Sequence, residues 1–216
     1  MYAPPNLGQP TAALTPVSIV SSAPESAAPP ARTALKVTSS RLDVLGGQRA
    51  SVAGLLVQKT PRLALAGDVV ALQELSSRGW RTLAHTRTRA DGRFRITYAA
   101  HTEESVKVRL FFAGVATDAH AGHQLGRLNV YRVAEASWYG GGGSLACGGW
   151  LTSSTLGVAN KTLPCGTMIT LRYAGHTVRV PVIDRGPYVE GRELDLTEAT
   201  KQALGFGDTG QVWMAA

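Results

Sequence analysis

The chain is predicted to be all-β, built as two folded units behind an irregular N-terminal segment. Three observations predict this. Short runs of alternating apolar and polar residues recur at near-regular spacing, separated by Gly, Asp and Ser turn signals. Glycine is abundant, at 24 residues, while aromatics make up only 6%, a composition that fits tight turns between strands. No alternation of strand and helix patterns appears, and one short helical pattern, near the C-terminus, is the only one the periodicity supports.

The elements follow in order. Residues 1–34 are rich in Pro, Ala, Ser and Thr and show no apolar periodicity. Such a segment buries too little apolar surface to offset the entropy of ordering it, so it is expected to be a disordered tether. Residues 35–133 contain seven runs that read as strands: LKVTS, RASVAGLLV, DVVALQEL, WRTLAHTRT, RFRITYAA, SVKVRLFFAG and GRLNVYRV. Seven short strands at this spacing predict a β-sandwich, and their order resembles immunoglobulin-like modules. Asp91-Gly92, between two alternating runs, predicts a hairpin. At Ala134 the texture changes to the glycine-rich AEASWYGGGGSLACGGW. Further short strands, one helix over LTEATKQALGFG and a closing strand GQVWMAA predict a small barrel over residues 134–216. Asp195 is placed at the helix N-cap with Glu198 three residues on, and Gly205 at the C-terminal end.

Composition narrows the function classes. Of 216 residues, 44% are hydrophobic and 17% charged, and the net charge is +7. The positive balance points to an anionic partner or surface. No dense Lys/Arg cluster interleaved with aromatics is present, so nucleic acid is not expected; a polyanionic cell wall fits the charge equally well, and so does simple solubility. No apolar run approaches the ~20 residues of a membrane span, and no readable signal peptide precedes the Pro-rich segment. The two cysteines, Cys147 and Cys165, permit one disulfide, the favoured reading, with two reduced thiols as the alternative. Nothing near them completes the four ligands of a zinc site. Asp118, His120 and His123 have ligand chemistry but no ligand spacing, so no metal is expected there. A disulfide would imply an oxidising, extracytoplasmic compartment.

The residues that carry chemistry lie in the C-terminal unit. The blocks ASWYG, GVANKTLPCGT, VPVIDRGPY and GRELDLTEATKQALG, in that order, resemble the rare lipoprotein A family. The resemblance covers Ala136 to the C-terminus. It implies a six-stranded double-psi β-barrel, related in fold to expansins and family 45 endoglucanases, and a lytic transglycosylase acting on peptidoglycan glycan strands. It also implies that Cys147 and Cys165 mark a disulfide-bearing branch. Where active members carry a His in A-H-x-T-L-P, this chain has Asn160 in VANKTLP; the aspartate of D-R-G-P is present as Asp184.

Lytic cleavage needs one carboxyl that acts as acid and then base, because the sugar's own C6 hydroxyl attacks. Asp184 is the candidate, made a better proton donor by desolvation against Trp138, Tyr139 or Tyr188 and a poorer one by an ion pair with Arg185. Trp138, Tyr139 and Tyr188 offer flat rings for sugar faces, and Asn160, Arg185 and Asp195 are further candidate sugar contacts. Asn160 can hydrogen-bond but cannot exchange a proton at neutral pH. Two alternatives accompany the enzyme: a non-catalytic expansin-like wall-binding module, and an inverting glycanase pairing Asp184 with Asp195. Glu190, Glu193 and His176 are expected to be solvated loop residues. The expected protein is a monomer without metal or cofactor, secreted or wall-associated, with the tether contacting wall or membrane.

Overall fold

A computed structural model describes residue 1 and residues 28–216; most of the predicted tether, residues 2–27, lies outside the described residues. The strands are β1 (Thr33–Arg41), β2 (Asp43–Leu45), β3 (Arg49–Gln58), β4 (Val69–Ser76), β5 (Gly79–Arg87), β6 (Arg93–Ala99), β7 (Glu104–Phe112) and β8 (Ala121–Tyr139). They continue with β9 (Gly143–Ser144), β10 (Trp150–Leu151), β11 (Val158–Asn160), β12 (Met168–Tyr173), β13 (His176–Asp184) and β14 (Leu194–Thr197). Helix α1 (Glu198–Leu204) and β15 (Thr209–Ala215) complete the chain.

The seven strand runs expected before residue 134 are all present, and two layers form around one core. One layer is the antiparallel sheet β1–β3–β6; the other runs β5–β4–β7–β8, with β2 parallel on the far side of β8. Alternation decides what faces inward. Val52 and Leu56 from β3 and Ile96 from β6 meet Leu72, Leu110 and Leu128 from the opposite layer, all essentially inaccessible to solvent. Burying each such side chain contributes about 1.5–3 kcal/mol.

The hairpin expected at Asp91-Gly92 is not formed. Gly92 does adopt the positive φ of a turn, but β5 pairs with β4 while β6 pairs with β3, in the other layer. Leu56 N–H donates to Gly92 O at 3.0 Å, so the turn is captured by β3 and carries the chain across the sandwich. A turn dipeptide sets local geometry; the partner is chosen by the apolar faces of Phe94 and Ile96.

The texture change at Ala134 does not break the chain's secondary structure. Strand β8 runs for 19 residues without interruption. Its first part pairs with β7 and β2, its last part with β15 and β14. From there a closed six-membered ring forms in the order β8–β15–β12–β13–β11–β14 and back to β8. The β11–β13 and β14–β8 pairs are parallel and the rest antiparallel. Val158, Ile169, Val180, Leu194 and Leu196 fill the interior, and Leu204 and Phe206 cover one end. This is the double-psi barrel expected of the C-terminal unit.

Helix α1 begins two residues later than the capping pattern suggests. Its N-cap is Thr197, whose hydroxyl accepts from Thr200 N–H, and Asp195 lies inside β14. Strand pairing to both neighbours holds Asp195 extended, which leaves the first free hydroxyl, Thr197, to cap. Gly205 closes the helix in the left-handed region at φ 64°, as the C-cap rule predicts.

Gly54 is the tightest point of the N-terminal unit. A Cβ there would stand 2.2 Å from Lys36 O and 2.8 Å from the Phe94 ring. The backbone oxygen belongs to the paired strand β1 and cannot withdraw. Gly54→Ala is expected to destabilise the protein by about 3 kcal/mol through overpacking. Denaturant unfolding measures this directly, and a loss below ~0.5 kcal/mol, the range of neutral surface changes, would show that the strands part at no cost.

Candidate functional site

The site is built where β13 ends. Val158 of β11 lies opposite Val182, but the next residue, Ala159, lies opposite Asp184. This one-residue shift passes over Ile183 and brings Asp184 into line with Ala159, which itself lies opposite Asp195. Asp195 in turn lies opposite Ser137 of β8. The result is a lateral row across four strands: Asp184, Ala159, Asp195, Ser137. Interior positions on these strands are Val158, Leu196 and Ala136, so alternation sets the row on the outer face. A bulge that re-aims a side chain is a common device beside functional sites.

A glycine-rich loop closes over this row. Gly148 and Gly149 both have positive φ, which lets the chain reverse within Leu145–Gly149; Gly148 N–H donates to Leu145 O at 2.9 Å. The reversal aims Ala146 N–H at Asp184 Oδ1, 2.9 Å away, and Arg185 N–H donates to the same oxygen at 2.9 Å. Oδ1 is thereby fixed by two backbone amides. Cys147 N–H bonds Ile183 O at 3.2 Å, and the disulfide Cys147–Cys165, with Cα atoms 5.6 Å apart, ties the loop to the segment after β11. The expected disulfide is thus formed, and it braces the wall of the site. Beneath it Ile183 packs onto Gly157, where a Cβ would stand 2.3 Å from Ile183 Cδ1.

Tyr139 shares the Ser137 face of β8, two residues on. Its hydroxyl is buried and has no hydrogen-bond partner among the described residues. Burial, then the charges of Asp184 and Asp195, push its ionisation well above the ordinary tyrosine value of 10.0. Tyr139 is therefore a fixed proton donor beside two carboxylates. Asp195 accepts a hydrogen bond from the Ser137 hydroxyl.

The remaining candidates are placed individually. Asn160 is only 3% exposed. Its Oδ1 accepts from Thr162 and Leu163 N–H and its Nδ2 donates to Glu193 O, so it holds the following turn and does not face the open surface. Arg185 turns away from Asp184: its guanidinium donates to Asn160 O at 3.0 Å and Leu163 O at 2.9 Å and meets Cys165 Sγ. Trp138, by alternation, leaves the row; Nε1 donates to Asp208 at 2.9 Å and Lys201 Nζ lies 3.9 Å over the ring. Tyr188 is 83% exposed beside the Asp184 turn. Glu193, expected to be solvated, forms an ion pair with Arg132, which also holds Glu103 at 2.6 Å. Asp118 is buried and accepts from Gln58 and Thr117. Among the described residues no group of three His, Cys, Asp or Glu can hold a metal.

Sequence reasoning missed Ser137, the Ala146 amide and Trp150, which the glycine loop displays at 67% exposure. The density of glycines was the available signal for the amide, since glycine permits close approach of backbone to another group.

Residues 132–215 match the sequence profile of the lytic transglycolase family. The chain is 43% identical over 76 residues to a probable endolytic peptidoglycan transglycosylase RlpA of Aquifex aeolicus, covering 33% of this chain and 34% of the relative. It is 33% identical over 101 residues to a protein of the same description from Synechocystis, covering 40% and 32%. An endolytic peptidoglycan transglycosylase RlpA of Pseudomonas aeruginosa is 37% identical over 87 residues, covering 38% and 26%. The chain thus spans about a third or less of the length of these relatives.

The buried tyrosines set an alkaline limit. Tyr98, Tyr131 and Tyr139 all ionise above their ordinary value of 10.0 in the folded state, each chiefly through burial. A group with a raised folded value stabilises the fold below its unfolded pKa and loses that contribution as pH rises through the folded one. Stability is expected to fall steadily above pH ~10, the unfolded tyrosine value. Tyr139→Phe should make that fall shallower and leave stability at pH 7 unchanged or higher by up to ~1 kcal/mol, since it removes an unpartnered buried hydroxyl. Thermal melts across the alkaline range check this; an unaltered slope would remove Tyr139 from the account.

Proposed function

We propose that residues 132–215, which match the sequence profile of the lytic transglycolase family, bind peptidoglycan glycan strands and cleave them with Asp184 as the acid/base. The carrying observation is the carboxylate itself: Oδ1 pinned by two amides, on an outer row beneath a disulfide-braced loop. In this reading protonated Asp184 gives its proton to the oxygen linking N-acetylmuramic acid to N-acetylglucosamine as the C1–O bond breaks. The C6 hydroxyl of the same muramic residue bonds to C1, and its proton passes to Asp184, restoring the acid. One carboxyl suffices because no water enters. Tyr139 stays protonated beside the Asp184 and Asp195 charges; Tyr188 and Trp150 offer exposed rings to sugar faces.

Wall association in an extracytoplasmic compartment is part of this proposal, supported by the disulfide. Residues 35–133 are proposed to be an immunoglobulin-like sandwich presenting the barrel, supported by their two-layer arrangement.

A second reading, a non-catalytic expansin-like module, is favoured by one observation. Asn160 occupies the position of the family's His and is enclosed by its own turn, so no second proton-handling side chain stands there. The two readings separate on purified sacculi. The enzyme reading expects 1,6-anhydro ends by mass spectrometry, lowered by about 10²–10⁴-fold in Asp184→Asn, the usual contribution of general acid–base assistance. Binding without anhydro ends in wild type or in Asn160→His would establish the wall-binding module instead, and cleavage that survives Asp184→Asn would assign the chemistry to another residue.

A further inference from the structure

Charge is distributed very unevenly between the two units. Residues 28–131 carry 15 Lys and Arg against 7 Asp and Glu, whereas residues 132–216 carry 7 of each. The barrel is neutral, and the positive excess belongs to the N-terminal unit. Within that unit it concentrates on one sheet. Strands β1, β3 and β6 contain Lys36, Arg41, Arg49, Arg93 and Arg95 and not one carboxylate.

Register gathers these cations on the outer face. Lys36 lies opposite Leu55, and Leu55 opposite Arg93; one step along, Ala53 lies opposite Arg95. Phe94 and Ile96, the alternate residues of β6, point into the core, so Arg93 and Arg95 face solvent about 7 Å apart, two strand residues. A depression of about 300 Å³ opens between Thr38, Gly54, Arg89, Arg93 and Arg95. Another, of about 270 Å³, lies along the same sheet between Lys36, Lys59 and Arg62. Arg93 meets Asp91 at 3.5 Å at an exposed site; Arg89, Arg95, Lys36, Lys59 and Arg62 have no carboxylate partner among the described residues. Uncompensated like charges on one sheet repel one another, and an anionic polymer laid across them relieves that repulsion.

We propose that the outer face of the β1–β3–β6 sheet is a docking surface for the carboxylate-bearing polymer of the cell wall, lying along the two basic depressions. The polymer's identity rests on the reading of the barrel given above; its anionic character rests on the charge of the sheet alone. The face suits an extended anion better than the other polyanions. It carries no exposed aromatic ring on which bases would stack. Its strands expose no large apolar side chain that would enter a lipid surface.

The test is co-sedimentation of the full chain with purified sacculi. Wild type should bind in a salt-sensitive manner, and sacculi whose carboxylates have been amidated should retain it poorly. Combined Arg89→Gln, Arg93→Gln and Arg95→Gln should weaken retention by about tenfold, a typical sum for three exposed ionic contacts. Combined Arg78→Gln, Lys107→Gln and Lys161→Gln, which removes the same charge elsewhere, should bind as wild type. The inference is overturned by undiminished binding to amidated sacculi, by equal losses in the two triple variants, or by tighter binding to single-stranded DNA or phosphatidylglycerol vesicles at the same ionic strength. The amidation and salt arms need no variant, so a triple variant that fails to fold leaves the test intact. Product analysis keeps the two readings apart. Arginine-dependent retention without anhydro ends defeats only the catalytic reading, and anhydro ends with arginine-independent retention defeat only this one.

Discussion

Strand β8 belongs to both cores, and the placement of everything else follows from that. Up to Tyr131 it is paired within the N-terminal unit, and from Arg132 onward it is a stave of the barrel. Nineteen residues of strand extend roughly 60 Å, far beyond the usual 3–10 residues of a strand. A flexible linker would leave the two units free to reorient; a shared strand fixes the path between them. The crossing point is also braced by side chains. The Tyr131 hydroxyl donates to Asp43 at 2.8 Å while its ring packs on Trp213, and Arg132 holds Glu103 from one unit and Glu193 from the other. Ser105 and Thr170 add a hydroxyl contact at 3.0 Å. An apolar interface would have separated less readily but would also have specified orientation less sharply; directional bonds on either side of a continuous strand fix both angle and register.

That arrangement explains which parts of the structure the sequence could announce. Period-2 alternation reports burial on one face, and every strand run of the N-terminal unit was legible for that reason. Alternation says nothing about which strand is the neighbour, so Asp91-Gly92 predicts a hairpin although its flanking strands belong to opposite layers. Asp195 illustrates a related gap. A carboxylate three residues before a glutamate satisfies the capping pattern, yet β14 is paired on both sides through Asp195, and ladder hydrogen bonds outlast a local cap. The continuity of β8 was invisible because composition changes at Ala134 while backbone conformation does not.

The candidate site shows the same division. The position of Asp184 at a strand end and the disulfide were legible, because a strand running into D-R-G-P and a cysteine pair are local signals. Ser137 and the Ala146 amide were not, since both depend on the parallel β14–β8 pairing and on how the glycine loop folds back. The shift at Ile183 is the deciding geometry. Without it Asp184 would continue the inward parity of Val180 and Val182 and bury a carboxylate in an apolar barrel, at a cost of several kcal/mol. With it, the same residue stands on the outer row with Asp195, and Arg185 is freed to secure the segment after β11.

Asn160 marks the limit of what a substitution reveals when read from sequence alone. At the level of residue type it removes a proton carrier, which speaks against catalysis. At the level of structure it does something a histidine would do less well: one carboxamide oxygen accepts two backbone N–H groups, from Thr162 and Leu163, and the nitrogen donates to Glu193 O. The turn it holds supplies the carbonyl of Leu163 to Arg185 and positions Cys165 for the disulfide. The stiffness of the Asp184 wall therefore depends on the residue that departs from the family pattern. Chemistry that needs one proton-handling group is compatible with this arrangement, because Asp184 keeps its fixed orientation and Tyr139 keeps its proton beside it. Chemistry that needs two such groups must draw the second from the Asp184–Asp195–Tyr139 cluster, since the Asn160 side chain itself is buried.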